Sequence, residues 1–129
     1  MNVNRNYQLG LMYLVHLLIN ADGVIDEKER SGLKKIKAFE HIPDALFEEF
    51  EKEIANKKER EIYQSGIEMM NECSDEEKLN AFVHLYKLSE ADGRVHVKEV
   101  RLLLYSIRMV GIEFDDVVQR AAKIKPYFP

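Results

Sequence analysis

Acidic side chains recur at the same spacing in two short segments of this chain. Residues 21–29 read Ala-Asp-Gly-Val-Ile-Asp-Glu-Lys-Glu, and residues 91–99 read Ala-Asp-Gly-Arg-Val-His-Val-Lys-Glu. Carboxylate oxygens clustered on a loop between helices are the ligands that hard cations such as Ca²⁺ prefer. Such a repeat also predicts two related halves that pack about a pseudo-twofold axis. We expect any functional chemistry to lie where these halves meet.

Each segment can be aligned with the calcium-binding loop of an EF-hand. When Gly23 or Gly93 is placed on that loop's invariant glycine, ligand positions are occupied by Asp22, Asp26 and Glu29 in one copy and by Asp92, His96 and Glu99 in the other. The first position requires an aspartate, but it holds Leu18 and Leu88. Both leucines are typical of the core of the preceding helix, so a true EF-hand is not expected.

Helix capping explains part of the motif without any ligand. Asp26 followed by Glu29 has the spacing of a capping box, which pairs amide groups left open at a helix start. Gly23 and Gly93 can end the helices before them, since glycine readily takes the left-handed conformation found there.

The remaining acidic positions keep both explanations open. Asp22 and Asp92 can bond backbone amides of the turn, or they can bind a cation or a partner. A functional role is more strongly indicated for Glu99 than for its counterpart Glu29. His96 makes a weaker N-cap than Asp26, so a capping box explains the presence of Glu99 less well.

Seven helices are predicted to carry these segments. No stretch alternates with period two for long enough to predict a strand, so the fold class is all-α. The first helix, from about Tyr7 to Ala21, is apolar nearly all round and is expected at the centre of the core. Further boundaries are an N-cap at Asp26, a break at residues 41–43, a start at Lys57, a capping box of Ser74 and Glu77, a start near His96, a cap at Gly111 and a last helix from Phe114 to Ile124. Residues 1–129 are expected to form one domain with an internal pseudo-twofold repeat.

Apolar residues at helical spacing predict which sides of these helices face the core. Ile36 and Phe39 form such a stripe after the first acidic segment, and Leu104 and Ile107 do so after the second. Gly66 is expected to allow close packing of the fourth helix.

Composition narrows the classes of function and partner. The chain has 129 residues, 46% apolar content and a net charge of −4, which describes a globular domain without a broad basic surface for nucleic acid. Cys73 is the single cysteine, so no intrachain disulfide can form, and we expect a reducing, cytoplasmic location and an inert thiol.

The uncharged stretch at residues 6–21 raises the question of a membrane or export segment. Asn6, Gln8, His16 and Asn20 interrupt it, and it is shorter than a spanning helix needs. A signal peptide is disfavoured because no small-residue cleavage site follows Ile19 and the motif that ends the stretch recurs internally. We expect no membrane span.

No arrangement of residues predicts a reaction. His16, His41 and His84 show no metal-ligand spacing, and His16 and His84 are typical of core histidines on apolar helices. No phosphate-binding glycine loop, paired-histidine zinc motif or nucleophile elbow is present, so we expect no enzyme.

The doubled motif resembles the TerB-like family, which includes the tellurite-resistance protein TerB and a domain of a membrane-associated DnaJ-type co-chaperone. The resemblance covers about Tyr7 to Ile124. It implies an all-helical fold in which the two acidic loops come together and bind metal through Asp22, Asp26, Glu29, Asp92 and Glu99. His96 departs from that pattern at the position of Asp26. An imidazole there either weakens calcium-type binding or admits a softer ion such as Zn²⁺ or Mn²⁺.

The sequence favours two functions. One is a non-catalytic module that binds a divalent cation (Ca²⁺, Mg²⁺, Mn²⁺ or Zn²⁺) in a stress-response context like tellurite resistance, with His96 among the ligands. The other is a protein-interaction or scaffold domain whose acidic loops receive a basic partner segment without metal. Peripheral membrane association is a third option, for which no helix offers a basic face beside a wide apolar one.

Overall fold

The computed structural model describes residues 3–19, 27–89 and 97–123, with side chains for 5–18, 31, 34–87, 101 and 104–123. Within these ranges every regular element is an α-helix, which confirms the all-α prediction. The seven helices are α1 Val3–Ile19, α2 Glu27–Phe39, α3 Asp44–Asn56, α4 Glu59–Asn71, α5 Asp75–Ser89, α6 Val97–Val110 and α7 Phe114–Ala122.

Helix α1 is the centre of the core, as its sequence predicts. Residues 9–15, 17 and 18 are all buried, and α1 packs most extensively against α4 while also contacting α2, α3, α5 and α6. It begins at Val3, earlier than the expected Tyr7. The added turn is polar and is held by side chains of other elements, because Arg5 pairs with Glu49 and Asn6 donates a 2.8 Å hydrogen bond to Glu72.

Two glycines set the close approach of α1 and α4. A Cβ atom on Gly10 would lie 3.1 Å from Met69 Cβ and 3.3 Å from the carbonyl oxygen of Gly66, and one on Gly66 would lie 3.3 Å from Leu14 Cγ. The predicted role of Gly66 in close packing is therefore confirmed. Gly10 has the same role, which its position inside an apolar run did not reveal.

Hydrogen bonds at the helix ends follow short sequence motifs. At the start of α5, the Glu77 amide donates to Ser74 Oγ at 3.1 Å and the Ser74 amide donates to Glu77 Oε1 at 3.0 Å, which confirms the capping box. Gly111 closes α6 at φ +76°, and the amides of Gly111 and Ile112 donate to the carbonyls of Arg108 and Ile107 in a Schellman motif.

Helix α2 ends in the same way, but with a histidine in the left-handed position. His41 has φ +53°, its amide donates to the Ala38 carbonyl, and the Ile42 amide donates to the Lys37 carbonyl at 3.0 Å. A side chain in this conformation is disfavoured relative to glycine, so the break predicted at residues 41–43 is confirmed with a strained residue inside it.

Several helix ends and both left-handed residues recur at a spacing of 70 residues. Helices α1 and α5 end at residues 19 and 89, α2 and α6 begin at 27 and 97, the left-handed residues are 41 and 111, and α3 and α7 begin at 44 and 114. The pseudo-twofold axis itself stays a prediction.

Two expected core residues lie on the surface. Phe39 is 64% exposed and Leu104 is 40% exposed, whereas Ile36 and Ile107 of the same stripes are buried. Each exposed residue lies three positions from a buried member of its own stripe, Phe39 after Ile36 and Leu104 before Ile107. Helical spacing alone does not show how wide a contact the neighbouring helices provide.

Candidate functional site

The predicted cation ligands fall mostly outside the described residues. Asp22, Asp26, Asp92 and His96 lie in the two undescribed segments, 20–26 and 90–96. Glu29 and Glu99 are described by their backbone only, as the third residues of α2 and α6. Whether these six side chains come together therefore stays a prediction.

The four helices that flank the two acidic segments are α1, α2, α5 and α6, and we call their corresponding arrangement the matched frame. Helices α1 and α5, which lead into the segments, pack against each other, while α2 contacts α5 and α6 contacts α1. Glu29 and Glu99 each lie in a first helical turn, where unpaired backbone amides and the helix dipole favour a carboxylate. This placement suits a capping role and a ligand role equally.

Elsewhere, metal-ligating side chains are dispersed. Among the described residues, no group of three or more histidine, cysteine, aspartate or glutamate side chains could hold a metal ion. His84 is a buried core histidine, as predicted, and His16 is half-buried in a T-shaped contact with Phe50, with 6.1 Å between the ring centroids. His41 lies exposed in the turn after α2.

A polar cluster in the bundle was not predicted from the sequence. Oε2 of Glu40, the residue after α2, lies 2.6 Å from Nε2 of His84 and accepts a 2.7 Å hydrogen bond from the Tyr7 hydroxyl. Gln8 Nε2 donates to the Glu40 carbonyl at 3.0 Å, and the Phe39 ring meets His84 edge-on at 5.2 Å. Tyr7, Glu40 and His84 are far apart along the chain, so no local spacing could have indicated the cluster.

The electrostatics of this cluster favour an ionised Glu40. Burial raises the pKa of Glu40, but hydrogen bonds from His84 and Tyr7 and the charge on His84 outweigh burial, and the net pKa is lowered. No buried side-chain polar atom among the described residues lacks a partner. The cluster therefore joins α1, α2 and α5 as a satisfied structural network.

An open cleft of about 660 Å³ lies at the junction of α2 and α3. Lys34, Lys37 and His41 line it from α2 and the following turn, and Ile42, Pro43 and Phe47 supply apolar surface. Sequence reasoning did not single out this cleft, because its lining comes from residues that meet only when α2 and α3 turn against each other.

The family model of the tellurite resistance protein TerB matches residues 8–122. The chain belongs to the TerB family. This confirms the resemblance seen in the doubled motif, and the matched range contains both acidic segments. No curated protein and no solved structure matches the chain.

The one thiol of this TerB domain has the surroundings of a structural residue. Cys73, directly before the α5 capping box, is buried, and its Sγ donates to the Met69 carbonyl at 3.4 Å. Burial, together with the negative charge of Glu77, raises the pKa of Cys73 to about 11. A thiol with so high a pKa is a poor nucleophile at neutral pH.

The length and apolar content of the described helices bear on membrane insertion. Across residues 3–19, 27–89 and 97–123, no helix has the length and apolar content needed to cross a membrane.

Proposed function

We propose that this TerB domain is a non-catalytic module that binds a divalent cation through its two acidic inter-helix segments. The proposed ligands are Asp22, Asp26, Glu29, Asp92, His96 and Glu99. The observation that carries the proposal is the matched frame: both segments keep the aspartate before glycine and the later glutamate, and they join helices that end and begin at equivalent positions.

The chemistry of the donor set indicates which ions to consider. Five carboxylates supply the oxygen ligands that Ca²⁺, Mg²⁺ and Mn²⁺ prefer. The imidazole of His96 adds a nitrogen ligand, which suits Mn²⁺ or Zn²⁺ better than Ca²⁺. Together with family membership, this donor set favours a cation-binding module in a stress response of the tellurite-resistance type. The single cysteine fits the cytoplasmic location that we propose.

Isothermal titration of the whole domain with Ca²⁺, Mg²⁺, Mn²⁺ and Zn²⁺ tests the proposal. We expect saturable binding of at least one ion, lost in the Asp22→Asn, Asp92→Asn double variant. A matched control, Glu51→Gln with Glu61→Gln, removes the same charge from exposed positions on α3 and α4 and should bind like wild type. Absence of saturable binding, or equal binding by the two double variants, would refute the proposal.

A buried leucine favours one alternative. Leu18, at the first position of the EF-hand alignment, is only 2% exposed and belongs to the core, so it leaves the segment without an anchoring ligand. In this alternative, the acidic segments receive a basic partner segment without metal. Glu90 occupies the third EF-hand position of the second acidic segment. Capture of proteins by the wild-type domain and by a Glu90→Lys, Asp92→Lys variant distinguishes this alternative from the cation-binding module. Partners captured equally well by both would count against the alternative.

A further inference from the structure

The cleft between α2 and α3 combines positive charge with apolar surface on an acidic protein. Lys34 is exposed, Lys37 is half-buried with its ammonium 5.5 Å from the centroid of the Phe47 ring, and His41 lies at the turn. The whole chain carries a net charge of −4 with histidine counted as neutral, so the two lysines of the lining make the cleft locally more basic than the chain as a whole. The cleft has a volume of about 660 Å³, which suits a small organic molecule.

Comparison with the equivalent turn after α6 shows that the fold does not require these cationic residues. That turn has the same Schellman hydrogen bonds, yet the positions equivalent to Lys34, Lys37 and His41 hold Leu104, Ile107 and Gly111. Gly111 fits its left-handed conformation, whereas His41 is held there at a cost in stability. The basic residues at the first turn are therefore not required by the geometry of the turn itself.

Helix α3 starts beside the cleft, at the lining residues Pro43 and Asp44. Helix α3 begins here with Pro43 at the N-cap, where no side chain caps the helix, and the first intrahelical bond runs from the Phe47 amide to the Pro43 carbonyl. The amides of the first turn are therefore open to an anion. Asp44, the one carboxylate of the lining, is held by Lys37 in an ion pair.

We propose that this cleft binds a small organic anion, with a carboxylate or phosphate group on Lys34, Lys37 and His41 and an apolar body against Ile42, Pro43 and Phe47. The lining residues lie outside the acidic segments in the sequence, and the proposed binding does not require a cation there.

Amide chemical shifts of the whole domain, titrated with phenylacetate and with phenyl phosphate, test this binding. We expect saturable shifts at Lys37, His41 and Phe47 for at least one of the two, with dissociation constants of about 10 mM or below. The stronger probe identifies the anionic group. Neutral phenylacetamide should bind at least about threefold more weakly, as should inorganic phosphate, which has no apolar body. The proposal would be overturned if the shifts did not saturate, or if phenylacetamide bound with the same dissociation constant as the anionic probes.

Variants separate anion binding from damage to the fold. Lys34→Gln with Lys37→Gln should weaken binding about tenfold, whereas Lys52→Gln, an exposed lysine of α3 outside the lining, should not. Asp44→Asn should tighten binding about threefold, because it removes the opposing charge and releases Lys37. His41→Gly should weaken binding while raising thermal stability. Equal binding by the Lys34/Lys37 and Lys52 variants, or weaker binding by Asp44→Asn, would contradict the proposed site.

Discussion

Nε2 of His84, in the middle of α5, lies 2.6 Å from Oε2 of Glu40, the residue that follows α2. The imidazole donates, since an ionised carboxylate can only accept. His84 is 5% exposed, and the same oxygen also accepts from Tyr7 of α1. One carboxylate thus links α1 and α5 to the residue that follows α2.

Replacement of Glu40 by glutamine should lower the free energy of unfolding by about 1–3 kcal/mol at neutral pH, because it removes charge-assisted hydrogen bonds at a mostly buried position. The native pKa of Glu40 lies below its ordinary value of 4.5. Its contribution is therefore complete above that value and is lost as the pH falls through the native pKa. Urea unfolding from pH 7 to pH 3 should show the difference between wild type and variant shrinking in the acid range. Glu48→Gln, exposed on α3, is the control, and a difference that does not change with pH would contradict the role of the carboxylate.

His16 should titrate below its ordinary value. Partial burial lowers the pKa of His16 from 6.5, and the charge of Glu59 opposes that effect. Since the unfolded chain then binds the proton more readily, the native state loses stability as the pH falls below 6.5. A titration of the ring protons by NMR should give a midpoint below 6.5, and Glu59→Gln should lower it further. Glu61→Gln, an exposed glutamate on the same helix, should have a smaller effect. A midpoint that rises in Glu59→Gln would show that the electrostatic assignment is wrong.

Gly10→Ala should destabilise the domain. Alanine gains about 1 kcal/mol of helix propensity over glycine, but its Cβ would lie 2.9 Å from Met70 Cε and 3.1 Å from Met69 Cβ. Overpacking at this contact should cost about 1–3 kcal/mol before that gain is subtracted, which leaves a net destabilisation of up to about 2 kcal/mol. Gly66→Ala is the matched comparison and should cost less, because its closest contacts are 3.3 Å. Thermal and urea unfolding measure both, and a Gly10→Ala variant as stable as wild type would show that α1 and α4 can separate without penalty.

Local features were predictable because their partners lie within a turn or two of the same chain. The Ser74–Glu77 capping box spans four residues, and the Gly111 cap depends on carbonyls in the last turn of α6. The left-handed conformation of His41 was not predicted, because glycine usually takes that conformation and a histidine gives no sign of it in the sequence. The doubled acidic motif led to the family, but the position of its side chains in space is not fixed by their spacing.

The sequence by itself determined seven helices, the central place of α1 and membership of the TerB family, because helical periodicity, capping residues and the repeated motif are all short-range patterns. Only the tertiary structure decided that Tyr7 and His84 contact the same carboxylate oxygen of Glu40. It also decided that Phe39 lies on the surface, and that Lys34, Lys37 and His41 line a common cleft. These contacts depend on the angles and distances at which helices pack, which arise from the whole core rather than from any one segment.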